Sequence, residues 1–583
     1  MSESGRSTAA NRAARAAPSW QLLSGLSGAD PLIQPPDPGL LAALPPQLML
    51  EEGLLPWRRI GPLALVIAAD PVAAARHLPR LEAALGPVRL ARARPGRLEQ
   101  ALALHVGRPL VHLAETRTPR QDSCRSLPRR PLLAAATAGG LILLTGLILA
   151  PGLLLAGLTL AAALAGLAAA GLKAAALLAT LRPDDRDRGA VVIPARLPLI
   201  SLLVPLYREK EVASHLLARM AALDYPRDRL DLCLVVEDDD HLTQEALAAT
   251  DLPAWARIVT VPEGTLRTKP RALNYALPFA RGSIIGIYDA EDVPAPDHLR
   301  RVAEIFARRG PRTACLQGAL DYYNWRGNLM ARMFTLEYAA WFRVLLPGLM
   351  RLGLAIPLGG TTLFLRREAI EAVGGWDAHN VTEDADLGIR LARHGYVTEV
   401  IPITTQEEAN CRPWPWIRQR SRWLKGYAVT WAVHMRAPLR LWRDLGPRRF
   451  WGFQILFLGT LVTFTLAPLL WLGWLVPFGL PHPLAPVLPR PALAVLSVLF
   501  LAGQALDLGC AALGVARAGK GRLGLWAPLL PFYFPLATIA IWRAWWEVAV
   551  CPFRWDKTAH GIDPPVFLSP PMSSARHRAA AAS

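Results

Sequence analysis

Two kinds of hydrophobic pattern divide the chain. From Pro131 to Leu181 apolar residues run almost unbroken, long enough for two membrane spans of about twenty residues with a turn at Pro151-Gly152. Further apolar stretches cover Phe450–Leu480, Pro491–Ala516 and Leu525–Cys551, with tryptophans such as Trp451, Trp474, Trp526 and Trp546 near their ends. Three spans is the simple count. Pro468, Pro528, Pro531 and Pro535 interrupt two of these segments, so one of them can be two short helices, a re-entrant element or an interfacial helix.

Elsewhere short apolar runs bounded by polar clusters alternate with helical periodicity. Near the start, strands are expected at Leu63–Ala69 and Val88–Ala93, joined by an Asp70-Pro71 break and a helix ending at Leu85-Gly86. In the middle, strands are expected at Leu199–Val204, Leu230–Val236 and Ser283–Tyr288, separated by helices, the pattern of an α/β domain with a parallel sheet. The division that follows is 1–20 disordered, 21–118 a small α+β domain, 119–130 a basic linker and 131–181 a transmembrane hairpin. It continues with 182–449 as an α/β domain with interfacial helices, 450–551 as a membrane region of three or four segments, and 552–583 as a cytoplasmic tail.

Composition changes this picture in three ways. A hydrophobic share of 52% agrees with a membrane class. The net charge of +18 fits cytoplasmic loops obeying the positive-inside bias rather than nucleic-acid binding. That bias places the central domain and both chain ends in the cytoplasm of a multi-pass protein of the inner membrane, and it favours an even number of spans after residue 449. The six cysteines lack Cys-x-x-Cys spacing, which excludes a zinc knuckle and leaves reduced thiols as the expectation. No apolar core with a cleavage signal opens the chain, so no secretory signal is expected.

The three central strands each end in polar residues. These are Tyr207 and Glu209 after the first, Glu237 and Asp238 after the second, and Asp289 and Glu291 after the third. Ligands of parallel α/β sheets lie beyond the carboxyl ends of the strands, so the three clusters should share one crevice. Asp289-x-Glu291 can hold a hard divalent cation, Mg2+ or Mn2+, whose remaining positions a pyrophosphate would fill. Alone, such a pair reads as a solvated acidic turn; its placement and the two companion clusters give it meaning. Tyr207 can pack on a nucleobase, Glu237 and Asp238 can accept from base and ribose, and Lys269 can meet phosphate charge. Asp384, in Thr382-Glu383-Asp384, is the candidate base for an acceptor hydroxyl, with a helix N-cap as the rival reading. Gly360 and Thr361 allow close backbone approach beside the acceptor; Gln419, Arg422 and Trp423 supply an amide, a guanidinium for pyrophosphate and an indole face for a sugar ring.

Taken together, Pro-x-Tyr-x-Glu at 205–209, the acids at 237–238, the acidic pair at 289–291, Thr-Glu-Asp at 382–384 and Gln-x-x-Arg-Trp at 419–423 resemble the processive family 2 glycosyltransferases, the group of cellulose, chitin and hyaluronan synthases. The resemblance covers residues 199–427. It implies a Rossmann-like GT-A fold between transmembrane helices, UDP-sugar donors, a Mg2+ or Mn2+ ion, inversion to a β-linkage, and membrane helices that form a channel for an exported exopolysaccharide. A partner protein for export would follow. Glu291 and Glu237 stand where aspartates are usual in that family, which loosens the expectation for metal and donor. Trp555-Asp556-Lys557-Thr558 resembles the loop that covers the donor pocket in cellulose synthases.

Three further readings complete the expectations. Residues 54–104 resemble the N-terminal domain of type II secretion ATPases, without the Arg-Leu-Gly motif through which relatives bind cyclic di-GMP, so a docking or packing module is expected. Met330, Met333, Phe334, Tyr338, Trp341, Phe342 and Leu345 recur at helical spacing, as an amphipathic helix at the membrane face or as a buried core helix. For function, transfer to a growing polysaccharide stands first; transfer of one or few sugars to a lipid acceptor and a non-catalytic membrane scaffold are the alternatives.

Overall fold

The computed structural model describes residues 30–92, 97–182, 196–209 and 212–553. The chain forms two compact units. The first closes at Leu113 and takes in residues 262–264. Its sheet runs β1 (Leu54–Ile60), β2 (Leu63–Ala68), β3 (Val88–Arg92), with β1 antiparallel to β2 and β2 parallel to β3. Gly61 at φ 57° makes the tight turn between β1 and β2 that a side chain would resist. The carboxylate of Asp70 accepts from the Val72 and Ala73 N–H groups and starts the crossover helix, with Pro71 in its first turn. Strands β2 and β3 match the sequence expectation; β1, where burial of Leu54–Trp57 gives way to exposed Arg58–Ile60, was not foreseen.

The second unit is built on one eight-stranded sheet in the order β6-β5-β4-β7-β10-β9-β11-β8. Its strands are β4 (Ile200–Leu206), β5 (Leu230–Glu237), β6 (Ala256–Val261), β7 (Ile284–Ile287), β8 (Val293–Pro294), β9 (Thr313–Tyr322), β10 (Leu363–Arg366) and β11 (Val397–Glu407). Strands β6, β5, β4 and β7 are parallel, and both faces of β4 and β5 are buried, which is why they read as continuous apolar runs. Strand β10 then runs antiparallel to β7 and β9, while β11 pairs parallel with β9, so the sheet is mixed rather than all-parallel as expected. The reversal matters: it carries residues 289–292, 359–362 and 407 to a common region of the sheet.

The helices used below are α1 (Arg129–Leu149), α2 (Pro151–Leu181), α3 (Lys269–Ala276), α4 (Leu329–Ala340), α5 (Leu346–Arg351), α6 (Glu383–Arg393), α7 (Pro413–His434), α8 (Arg490–Arg517) and α9 (Pro535–Val550). The break between α1 and α2 falls at Ala150, beside the expected Pro151-Gly152 turn. Among the described residues, α2 and α8 are the helices long and apolar enough to cross a membrane. Residues 438–474 and 521–550 each form a bent helix pair, by 67° and 46°, and count as spans only if each pair crosses as one, giving two to four spans among the described residues. The bends fall where Pro468 and Pro535 stand in the first turn of the second helix of each pair. The apolar part of α1, Ala136–Leu149, is shorter than a span.

Two expected segments take a definite form. The stretch read as a basic linker makes two 3-10 turns and is fastened to the second unit: Ser123 Oγ donates to Asp377 at 2.8 Å and the Cys124 N–H donates to its other oxygen at 2.8 Å. The helix expected around 330–345 is α4 with a wide turn at Trp341–Leu345, and it packs in the core on β9 and α8 rather than lying free at a surface. All six cysteines are free. The expected disordered start and the Trp555–Thr558 loop lie outside the described residues.

Glycines set two close approaches that hold α6 in place. A Cβ on Gly388 would lie 2.1 Å from the Ile356 carbonyl oxygen, and one on Gly426 would lie 2.1 Å from Thr382 Oγ1. Gly388→Ala should therefore cost about 1–3 kcal/mol by overpacking, whereas Gly310→Ala, where a Cβ meets nothing within 4 Å, should stay within about 0.5 kcal/mol of wild type. Denaturant unfolding of the purified pair measures the contrast.

Candidate active site

The site is assembled from the strand ends outward. After β7 the chain turns at Asp289–Asp292, and Asp292 organises that turn: its Oδ2 accepts from the Asp289 N–H at 2.7 Å and from the Thr361 hydroxyl. Thr361 precedes β10, so the β7 turn and the Gly359–Thr362 loop are tied together. Thr362 adopts φ 53° and is fully buried, its hydroxyl bonded to Thr405 on β11 at 2.7 Å. This loop is held in a conformation that a β-branched residue adopts only under constraint.

Lys269, at the first position of α3, is the hub. Its ammonium bonds to Asp289 Oδ1 and donates to the Gly360 carbonyl at 2.9 Å. A methyl group on Gly360 would sit 3.3 Å from Asp384 Oδ2 and 3.9 Å from Lys269 Nζ, so Gly360, Asp384 and Lys269 share one small space. Burial opposes the charge on Lys269, yet Asp289, Glu383 and Asp384 hold its pKa above the usual range. Lys269, expected from the sequence to meet phosphate charge, lies between Asp289 and the space shared by Gly360 and Asp384.

Asp384 lies in the first turn of α6. Its Oδ1 accepts from the Ala385 N–H at 2.8 Å, while Thr382, at the N-cap position, makes no side-chain cap. Burial raises the pKa of Asp384, with Lys269 and Arg422 acting against that rise; burial and then Asp384 raise Glu383 to about 7. Both readings of Thr382–Asp384, helix start and reactive carboxylate, are compatible with this geometry. The second wall is α7. Gly426 lets α7 touch Thr382, and Arg422 Nη1 donates to the Val381 carbonyl at 3.3 Å. Gln419 accepts from Asn410 at 2.8 Å, and Trp423 packs with Phe334 and Tyr338 at centroid distances of 6.2 and 6.0 Å. Arg420, between the motif positions, stacks over Trp416 and Trp423 and pairs with Glu337 at 2.6 Å.

The strand-end residues on the other side divide by exposure. Glu237 is buried against Arg271 at 3.5 Å and burial raises its pKa to about 7; Asp238 is exposed at the strand end. The Arg208 N–H donates to Asp240 and the Glu209 N–H donates to Thr243 at 2.9 Å, which fixes the turn that carries Tyr207.

Two acids matter more than the sequence suggested. Neither Asp292 nor Glu407 is among the site residues expected from the sequence. Burial and then Asp289 and Glu291 push Asp292 well above the carboxylate range; burial and then Asp292, Glu291 and Asp289 do the same to Glu407. Glu291 rises to about 8 through burial and Asp289. Glu407 could have been found as the acid closing the alternating run of β11, the signal that singled out the other strand ends. Asp292 Oδ1 and Glu407 Oε1 are buried without hydrogen-bond partners. Four repelling carboxylates with two unpaired hard oxygens are a donor set suited to a divalent cation. Among the described residues no three His, Cys, Asp or Glu side chains are arranged so as to hold a metal ion by themselves.

Residues 284–506, from the first residue of β7 into α8, match the family model described as glycosyl transferase family group 2. The chain carries a family 2 glycosyltransferase domain. The transferase domain is similar to a beta-monoglucosyldiacylglycerol synthase of Synechocystis, 31% identical over 39% of this chain and 48% of that protein. It is also similar to the probable glucomannan 4-beta-mannosyltransferase 6 of rice, 25% identical over 45% of this chain and 47% of that one. The chain spans about half the length of the curated relatives it matches. Among solved structures it is similar to the mannosyltransferase PcManGT from Pyrobaculum calidifontis in complex with GDP-Man and Mn2+, at 22% identity over 61% of this chain and 99% of that one, with a TM-score of 0.42. The mixed sheet with acids at the ends of its parallel strands is a GT-A-like arrangement.

The acid cluster gives a signed expectation for pH. Glu237, Glu291 and Glu383 hold protons up to about 7, 8 and 7 when folded, against 4.5 for a free glutamate. For these groups the folded chain binds more protons than the unfolded one in that window, so the stability they contribute is full below about pH 4.5 and is lost as pH rises through about 8. Thermal melting at about pH 5 and about pH 8 should show the drop. Mn2+ or Mg2+ should restore stability at the higher pH only, and Glu291→Gln should flatten the slope.

Proposed function

We propose that this chain is an inverting hexosyltransferase that moves a sugar from a nucleotide donor to a hydroxyl acceptor at a membrane face. The observation that carries the reading is the shared hub: one ammonium, Lys269, contacts Asp289 on the donor side and lies beside Gly360 and Asp384 on the acceptor side. A donor diphosphate set there would meet Lys269 and the Asp289–Glu291 pair, with Tyr207 and the exposed Asp238 toward base and ribose, beside Glu209. Asp289 and Glu291, backed by Asp292 and Glu407, would hold Mg2+ or Mn2+, which when bound neutralises charge on the departing diphosphate. Asp384 takes the proton of the acceptor hydroxyl as the bond to the anomeric carbon forms and the bond to the diphosphate breaks. Glu383, Thr361 and Gly360 border that position, and Gln419, Arg422 and Trp423 form the acceptor wall.

Two acceptors suit this pocket. A growing β-linked polysaccharide, exported as it forms, follows from the motif set and would need a continuous path and an export partner; the rice relative's name refers to glucomannan. A lipid acceptor is favoured by the membrane cavity described below, and the Synechocystis relative's name refers to a glucosyldiacylglycerol. UDP is the expected donor nucleotide and the inner membrane, with the transferase domain in the cytoplasm, the expected place. The strand, Asp-Pro, helix, Gly, strand pattern of residues 54–92 suits a docking or packing module.

Asp384→Asn keeps the shape and removes the base. In purified membranes supplied with nucleotide sugars it should lower transfer by about a hundredfold or more while leaving donor binding by calorimetry within about twofold. Trp423→Ala should raise the acceptor KM and spare donor hydrolysis. Unchanged transfer by Asp384→Asn refutes the base assignment.

A further inference from the structure

Helices α2 and α8 and both bent helix pairs meet around a cavity of about 190 Å3. On α2 the lining residues Thr159, Ala163, Gly166, Ala170 and Lys173 recur every three or four positions, so they form one stripe. Small residues there leave the slot, and Lys173 ends it on the side of the transferase domain. Across from it α8 contributes Ser497, Phe500, Gln504 and Asp507 at the same spacing. Lys173 Nζ donates to Asp507 Oδ1 at 2.5 Å, joining the two helices.

The depth of these groups fits one leaflet. Helix α2 has 31 residues, about 46 Å at 1.5 Å per residue, against about 30 Å of hydrocarbon. Lys173 is eight residues from the end that leads to the transferase domain, about 12 Å, which sets it near the hydrocarbon boundary on that side. The Ala170–Gly166–Ala163 stripe then runs about 10 Å toward the midplane. A polar station at glycerol depth, followed by an apolar slot lined by small residues, suits the glycerol and one acyl chain of a lipid.

The charge of the lining selects among lipids. Among the described lining residues Lys173 is the sole ammonium or guanidinium, and it is neutralised by Asp507. A phosphate headgroup would find no free cation, and burying one uncompensated charge is costly. Neutral polar groups are available instead: Gln504 lines the cavity, and the Thr463 hydroxyl is buried with no hydrogen-bond partner, as is that of Thr159 at the far end. Hydroxyls in an apolar medium are stabilised only when paired, and a lipid hydroxyl or ester carbonyl can pair with them. We propose that this cavity binds a neutral, hydroxyl-bearing acyl lipid of the diacylglycerol class.

The lipid would lie next to the acceptor wall. Phe534 lines the cavity and packs in the same cluster as Trp423 and Tyr338. The neighbouring Tyr533 hydroxyl donates to Glu337 at 2.8 Å, and Glu337 holds Arg420 on the Trp423 ring. That the lipid hydroxyl is the sugar acceptor rests on the transferase reading above; that the cavity binds the lipid does not.

The test uses the full chain in phospholipid nanodiscs and a photoactivatable diacylglycerol. Labelled peptides should fall within residues 159–173 and 496–507, with unlabelled diacylglycerol competing at least tenfold better than phosphatidic acid. Gly166→Leu should reduce labelling at least tenfold while nucleotide binding, a check on folding, stays within twofold. Asp507→Asn leaves the Lys173 charge unpaired and should reverse the preference toward phosphatidic acid. Labelling elsewhere, equal competition by phosphatidic acid in the wild type, or displacement by a soluble β-linked oligosaccharide instead of lipid overturns the proposal. Asp384→Asn separates the two claims: retained labelling with no glycolipid formed is the expected result. Labelling by wild type with no glycolipid from any nucleotide sugar refutes the acceptor role and leaves the site standing, whereas glycolipid formed without cavity labelling refutes the site.

Discussion

The structure depends on a buried imbalance of charge. Asp289, Glu291, Asp292 and Glu407 meet at the edge of the mixed sheet, Glu383 and Asp384 approach from α6, and Lys269 is the ammonium placed between the two groups. Low-dielectric surroundings make each repulsion strong and each unpaired oxygen costly. Such a cluster is poorly stable by itself and well prepared for a cationic partner. Its cost is tolerated because the backbone around it is over-determined: Asp292 ties β7 to the loop before β10, Gln317 accepts from the Gly359 N–H at 2.8 Å and donates to the Thr361 carbonyl, and Thr362 is pinned to Thr405. Rigid strands hold the acids close, so a bound cation would relieve their repulsion without a movement of the chain.

Much of this was legible in the sequence because a strand end is a one-dimensional signal. The runs at 199–204, 230–236 and 283–288 are apolar on both faces, so their polar termini stand out, and β4, β5 and β7 lie within two residues of those limits. Thr382–Asp384 and Gln419–Trp423 were legible as motifs, but their contact was not. It is made by Gly426 against Thr382 and by Arg422 on the Val381 carbonyl, a meeting of residues some forty positions apart that no local period encodes. Strands β9, β10 and β11 were missed for a related reason. Their order in the sheet departs from their order in the chain, and the antiparallel turn at β10 is set by tertiary pairing. Glu407 went unnoticed with them.

The long apolar segments show the opposite balance. Their existence was plain from composition, and their shape was not. Proline positions announced interruptions, yet only the packing decides that residues 438–474 and 521–550 bend rather than pass straight. The helix at 329–340 illustrates the same limit: its apolar spacing fits a surface helix and a core helix equally well, and burial on β9 and α8 decides for the core.

That core placement is what joins the membrane helices to the chemistry. Helix α7 carries Gln419, Arg422 and Trp423 and packs along α9, where Lys425, two residues past Trp423, bonds to Glu547 at 2.9 Å with both groups buried. Glu547 also accepts from Arg543 at 2.7 Å, so the pair is fixed from the membrane side. An ion pair buried in this way adds little net stability, because desolvation offsets most of the attraction; what it gives is register, since any slide of α7 along α9 would strand a buried charge. Register here sets the position of Trp423 and Arg422 relative to Asp384. The Gln419–Trp423 segment is thus held to α9 by charge and to Thr382 by the glycine contact at 426, so the same two contacts fix its distance from Asp384.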